Sequence, residues 1–510
     1  MINIRDFFVL SMLSSSLFAA ADVVVEIESG QIAGAVLESN VREFLGVPYA
    51  APPIGDLRWK PPAATRAWSG LREAKTHAPA CMQMRYENIQ KSEDCLYINV
   101  WTKAAPEENL PVMVWIHGGG WYFGSSSTTI YDGAAFAENG VVLVSLNYRL
   151  GSFGWLAHPI LSQESPNKVS GNYGILDAIA ALEWVQRNIH AFGGDANNVT
   201  VFGESAGAAS IFALLATQKA EGLFDKVIMQ STWINEGNVA NLKSPNGFGE
   251  SAELTGIKAI QSKLGEVDSK NLLAEMRSLP AEDVLALRVR PKLVFDGWLF
   301  EEDPLKLFHS GKQTSVPMLT GYNDGEGQYL TRPERVPQTL EEQKKRRILQ
   351  VGDANADLLD VYIAKSSKDL YEKEIDFLGE RDFIWASRET ALASARAGQS
   401  DTFMYIFKRN RYQNEVRASH AMELSYVFNN LPVDASKEDK VLSSLMNNYW
   451  VQFAKTGSPG GNGLPKWAHF DIATQRHKVL DLTESEGKLD RMERLDILDA
   501  YMRDRYNPNQ

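Results

Sequence analysis

The sequence predicts an α/β fold, with a large, mostly parallel central sheet and helices on both of its faces. Three observations point there. Apolar, β-branched runs recur at 111–116, 141–147, 199–202, 226–230, 316–320 and 403–407, helix-compatible segments lie between many of them, and one run passes through a glycine-flanked serine directly into a helical segment. Runs that stay apolar without alternating belong to strands buried on both sides, the condition of a parallel sheet covered by helices.

Residues 1–21 read as a secretory signal peptide: Arg5 lies near the start, 7–18 is mostly apolar, and Ala19 and Ala21 are the small residues before a cleavage point. The expectation is therefore an exported protein, periplasmic or secreted, with 22–510 as a single domain. No later run approaches 18 consecutive apolar residues, so no transmembrane span is expected. The two cysteines, Cys81 and Cys95, both follow the cleavage point. An even pair in an exported chain suggests one disulfide closing a short loop; the alternative is two buried thiols.

At 510 residues, with 44% hydrophobic and 10% aromatic content, the chain has enough apolar material for a large core and no compositional mark of disorder. Its net charge of −12 and scattered basic residues argue against a nucleic-acid partner. The brief cluster Lys344-Lys345-Arg346-Arg347 is expected on a solvated helix face.

Two helices are well marked. Within 173–189 an apolar face runs through Ile175, Ile179, Leu182 and Val185, with Gly193 and Gly194 as a stop beyond it; a second helix is expected at 437–455, stopped by Gly457 and Pro459. Between 234 and 430, helical and loop signals mix without a readable order.

The chemistry starts at Gly203-Glu204-Ser205-Ala206-Gly207, between the strand 199–202 and the helix-compatible run 208–217. A serine on so tight a strand-to-helix turn needs glycine two residues to either side, because side chains there would collide. The turn exposes the hydroxyl and puts the amides at the helix start beside it, where an oxyanion can be stabilised. Such a serine needs a histidine base and an orienting carboxylate. Of the eight histidines, His77 and His309 sit in polar, turn-like contexts and His190 ends the long helix. His117 instead opens His117-Gly118-Gly119-Gly120-Trp121 right after the strand 111–116. Consecutive glycines there let backbone amides approach a substrate, as in an esterase oxyanion hole.

Together with Phe44-Leu45-Gly46-Val47-Pro48-Tyr49-Ala50, Ser92-Glu93-Asp94-Cys95-Leu96-Tyr97-Ile98-Asn99-Val100 and Asn147-Tyr148-Arg149, these motifs make the chain resemble the type-B carboxylesterases of the cholinesterase-like α/β-hydrolase family, over nearly its whole mature length. The resemblance implies an α/β-hydrolase fold and a serine carboxylic-ester hydrolase with no metal or organic cofactor, acting on a small-molecule ester. Its acid segment is similar to Gly321-Tyr322-Asn323-Asp324-Gly325-Glu326-Gly327, which makes Glu326 the orienting carboxylate, with Asp324 as rival. Its base segment is similar to 419–428, with His420 as the base and Ala421 where glycine commonly follows. Serine, acid and histidine then come in α/β-hydrolase order.

Gly119, Gly120 and Ala206 are implied as oxyanion donors, Ser231 as a residue supporting the acid, and Cys81–Cys95 as the N-terminal disulfide. The loop between those cysteines holds no tryptophan, which disfavours a choline-ester specialist. Trp121, Tyr122 and Trp233 are candidate pocket linings. The competing readings are a non-catalytic adhesion protein on the same fold and an interfacial lipase.

Overall fold

The structure, a computed structural model, describes residues 23–85, 88–245, 249–266, 268–398, 401–412, 416–489 and 491–506; the segment read as a signal peptide lies outside them. Its centre is a 13-stranded sheet. Seven neighbouring strands run parallel, in the order Val142–Leu146, Leu110–Ile116, Gly194–Glu204, Lys226–Gln230, Met318–Asn323, Thr402–Phe407 and His477–Leu480. Six of the seven contain or overlap the runs read from the sequence. Antiparallel pairs extend the sheet at both ends, including the early strands Val23–Ile27, Gly30–Val36 and Arg42–Pro48.

Both faces of the parallel region are covered. Along Leu110–Ile116, Val112, Val114 and Ile116 enter one apolar cluster while Met113 and Trp115 enter the other, as the two-residue side-chain period of a strand requires. The first cluster takes the buried faces of helices Tyr173–Asn188 and Ala206–Leu215, and the second takes helix Lys437–Thr456. Ile175, Ile179, Leu182 and Val185 all face the first cluster. Each such side chain contributes about 1.5–3 kcal/mol when fully buried.

The stretch left unordered by the sequence holds helices Ala252–Leu264, Ser269–Ser278, Leu340–Val351, Leu370–Gly379 and Trp385–Ala397. One expectation there is corrected. Lys344 and Lys345 are exposed, but Arg347 of the same basic cluster is fully buried, donates to Glu374 at 2.7 Å and lies over the Phe377 ring. The helical period turns it inward, and burial is tolerated because the charge finds a partner. Cys81 and Cys95 form the expected disulfide. Among the described residues, no helix is long and apolar enough to cross a membrane.

Candidate active site

The C-terminal ends of adjacent parallel strands converge on one cleft, where ligands of such sheets bind. Ser205 follows Gly194–Glu204, the glycine run follows Leu110–Ile116, Ser231 follows Lys226–Gln230, and Glu326 follows Met318–Asn323. His420 comes from the loop beyond Thr402–Phe407.

Sterics account for the sharpness of the serine turn. Ser205 has φ +58° and ψ −120°, outside the regions a non-glycine residue normally adopts, and its amide is held by the Gln230 carbonyl at 2.9 Å. A Cβ on Gly207 would stand 2.0 Å from the Ile116 carbonyl oxygen, and one on Gly203 would stand 2.8 Å from the backbone of Gly207. Both glycines are therefore required by the close approach of turn and neighbouring strand. Gly118 is constrained in the same way, since a Cβ there would come within 2.6 Å of Glu204 Oε2.

His420 Nδ1 lies 2.5 Å from Glu326 Oε2. The other oxygen, Oε1, accepts from Ser231 Oγ at 2.5 Å and from the Asn323 amide at 2.7 Å, so the carboxylate is fixed from behind. Asp324, the rival acid, instead accepts from the Ala418 amide at 3.3 Å, while Arg417 lies nearby. His420 Nε2 lies 2.9 Å from Glu204 Oε1, a charge contact that lacks the alignment of a hydrogen bond. Among the described residues no hydrogen bond joins Ser205 Oγ to His420.

Burial alone would push the His420 imidazole toward its neutral form, but Glu204 and Glu326 outweigh it and hold the pKa well above the usual histidine range. His117 has the opposite environment. Burial pushes it down to about 4, its Nδ1 donates to the Gly118 carbonyl at 2.8 Å, and it stacks on Tyr148.

Ser205, Gly119, Gly120, Glu204 and His420 share one cavity of about 340 Å³. Gly119 and Gly120 have φ +108° and +63°, which only glycine adopts without strain, and Ala206 opens the helix Ala206–Leu215. The first amides of that helix have no intrahelical carbonyl to bond. Tyr122 and Trp233 line the cavity as expected. Trp121 does not. Its φ of +59° turns the side chain into the core, where it is fully buried, stacks on Trp155 and donates to Ser210 Oγ at 2.9 Å.

Several contributors were not read from the sequence. Glu204 stood inside the serine motif without a role. Glu423, three residues after His420, accepts from Gln230 at 2.9 Å and Asn323 at 2.6 Å, and burial beside Glu204 and Glu326 pushes its pKa up to about 8. Phe383, in a π-helical turn over Glu380–Ile384, lies with its ring 4.1 Å from that of His420. Such turns recur at functional sites. The Asn147-Tyr148-Arg149 motif is scaffolding: Arg149 pairs with buried Asp177 through two hydrogen bonds, and Tyr148 donates to the His117 carbonyl at 2.8 Å.

His309, Glu389 and Asp499 bring potential metal-ligand atoms within 4.8 Å of one another. Arg503 already occupies both carboxylates, at 3.1 Å and 2.6 Å, which makes this an ion-pair network.

The profile of the Carboxylesterase family matches residues 21–497. The chain is 36% identical over 469 residues to the fumonisin B1 esterase of Sphingopyxis macrogoltabida, covering 87% of this chain and 84% of that one. It is 35% identical over 486 residues to the para-nitrobenzyl esterase of Bacillus subtilis, covering 90% and 94%. Its fold matches a solved carboxylesterase of Geobacillus stearothermophilus with a TM-score of 0.81 and 34% identity, over 93% of this chain and 99% of that one. A serine turn, a glycine loop and a carboxylate-held histidine around one cleft, on a fold and sequence shared with esterases over most of the chain, make this chain a carboxylic ester hydrolase that belongs to the carboxylesterase family.

Proposed function

We propose that Ser205 is the nucleophile of this esterase, His420 its general base and acid, and Glu326 the carboxylate that orients the imidazole. The reading rests above all on the Glu326–His420 contact of 2.5 Å beside the cavity that Ser205 lines. Ser205 Oγ attacks the ester carbonyl carbon as His420 Nε2 takes its proton. The tetrahedral oxyanion is met by the amides of Gly119, Gly120 and Ala206, each donor lowering the barrier by about 3–4 kcal/mol. Collapse breaks the bond to the alcohol oxygen, which leaves with the proton from His420. Water, deprotonated by the same ring, then attacks the acyl-enzyme; its collapse frees the acid and returns the proton to Ser205. Ser231 positions Glu326 through the hydrogen bond to Oε1. All these groups belong to the protein, and the chemistry calls for no cofactor.

The test is Ser205→Ala. Purified variant protein is expected to lose short-acyl ester hydrolysis by several orders of magnitude; hydrolysis at the wild-type rate would reject the assignment.

We further read 22–510 as one catalytic unit exported behind a signal peptide at 1–21. The Cys81–Cys95 disulfide supports an oxidising destination. Cell fractionation with N-terminal sequencing checks this: mature protein beginning at Asp22 outside the cytoplasm is expected, and a cytoplasmic protein retaining Met1 contradicts it.

A further inference from the structure

A side chamber of about 520 Å³ adjoins the active-site cavity; Arg85, Tyr122 and Phe123 line both. The side chamber's apolar wall includes Met84, Phe123, Leu285 and Val289, and among the described residues its lining holds two cations, Arg85 and Arg288, and no acidic side chain. Arg85 lies 3.9 Å over the Phe123 ring, with Nη1 3.5 Å from the Tyr329 hydroxyl, and both of these groups are uncharged. Arg288 is exposed. Nearby, Arg290 acts on the Tyr122 phenol, opposing the effect of its burial, and on Lys292, whose pKa burial and this like charge both depress. Among the described residues none of Arg85, Arg288 and Arg290 forms an ion pair with a carboxylate.

This cationic rim stands out on a chain of net charge −12. Positive charge at the mouth of a cleft with low-dielectric walls concentrates anions there, and a guanidinium matches a carboxylate with two parallel hydrogen bonds. An apolar wall with guanidinium groups on it suits a carbon chain that carries a carboxylate.

We propose that this active site takes esters bearing a carboxylate on the part that extends past Tyr122 and Phe123 into the side chamber, with Arg85 and Arg288 as specificity-determining residues. The proposal rests on the esterase reading above. It adds no step to the chemistry: the carbonyl stays at Ser205, and the guanidinium groups hold the remote carboxylate.

The experiment compares kcat/KM for two matched pairs, in wild type and in Arg85→Gln/Arg288→Gln. One pair places the carboxylate on the acyl side, mono-4-nitrophenyl glutarate against 4-nitrophenyl butyrate. The other places it on the alcohol side, 4-acetoxybenzoate against phenyl acetate. In at least one pair the anionic-to-neutral ratio is expected to fall about tenfold in the double variant, a typical effect of losing a charge-assisted contact. The wild-type ratio in that pair is expected to fall with added salt. Arg288→Gln alone, at an exposed side chain, is expected to lower the same ratio by a smaller factor. Ratios within twofold of wild type in both pairs, with the neutral esters still hydrolysed, overturn this proposal and leave the esterase reading standing. Wild-type protein inactive on all four esters overturns both.

Discussion

His420 Nε2 lies 2.9 Å from Oε1 of Glu204, the residue immediately before Ser205, while its Nδ1 lies 2.5 Å from Glu326. One buried imidazole thus sits between two carboxylates. Burial lowers its pKa, the two carboxylates raise it, and the carboxylates prevail. Only the neutral ring can accept the serine proton, so the acid limb of the rate profile reports this ionisation. Glu204→Gln removes one of the two raising charges and is expected to move the acid limb of kcat/KM to lower pH. A limb that stays in place, or moves up, would show that Glu204 does not set the proton affinity of His420.

Glu423 extends this cluster and makes stability depend on pH. Its pKa rises from 4.5 to about 8, first through burial and then through repulsion from Glu204 and Glu326. Folding therefore favours the protonated carboxyl. The favourable contribution is complete below the unfolded value and is lost as pH climbs through about 8. The neutral isostere Glu423→Gln should flatten this dependence. Measured by denaturant unfolding, its stability relative to wild type should rise between pH 5 and pH 8.5; a difference that is constant across that range contradicts a protonated Glu423.

Ala421, next to His420, has φ +66°. A side chain in this left-handed region costs about 1–2 kcal/mol, partly offset because glycine loses more chain entropy on folding. Ala421→Gly is expected to stabilise the protein by about 1 kcal/mol in urea unfolding. Destabilisation would mean that the methyl group, which lies on the cavity wall, makes contacts worth more than the strain it causes.

Much of this was legible in the chain. The central strands announced themselves because both faces are buried, so that runs such as Val142–Leu146 have no polar alternation to obscure them. The early strands did not: Val23–Ile27 is short, half-exposed and paired at the sheet margin, and its pattern is weak. Ser205 and the glycine loop carry their sterics in local sequence, whereas Glu326 and His420 were found through resemblance to a family. Glu204 and Glu423 went unread because what they do depends on which segments converge, Glu423 reaching Gln230 and Asn323 from other strands. Trp121 misled for a local reason, since a neighbour of cavity glycines is turned into the core by its own backbone angle.

The central claim is that Ser205 is the group that attacks. Treating the folded protein with a fluorophosphonate and mapping the adduct by peptide mass spectrometry tests it most directly. The account predicts one stoichiometric adduct on the peptide carrying Ser205, formed in step with loss of esterase activity. Complete inactivation with Ser205 unmodified, or with the adduct on another residue, would contradict it.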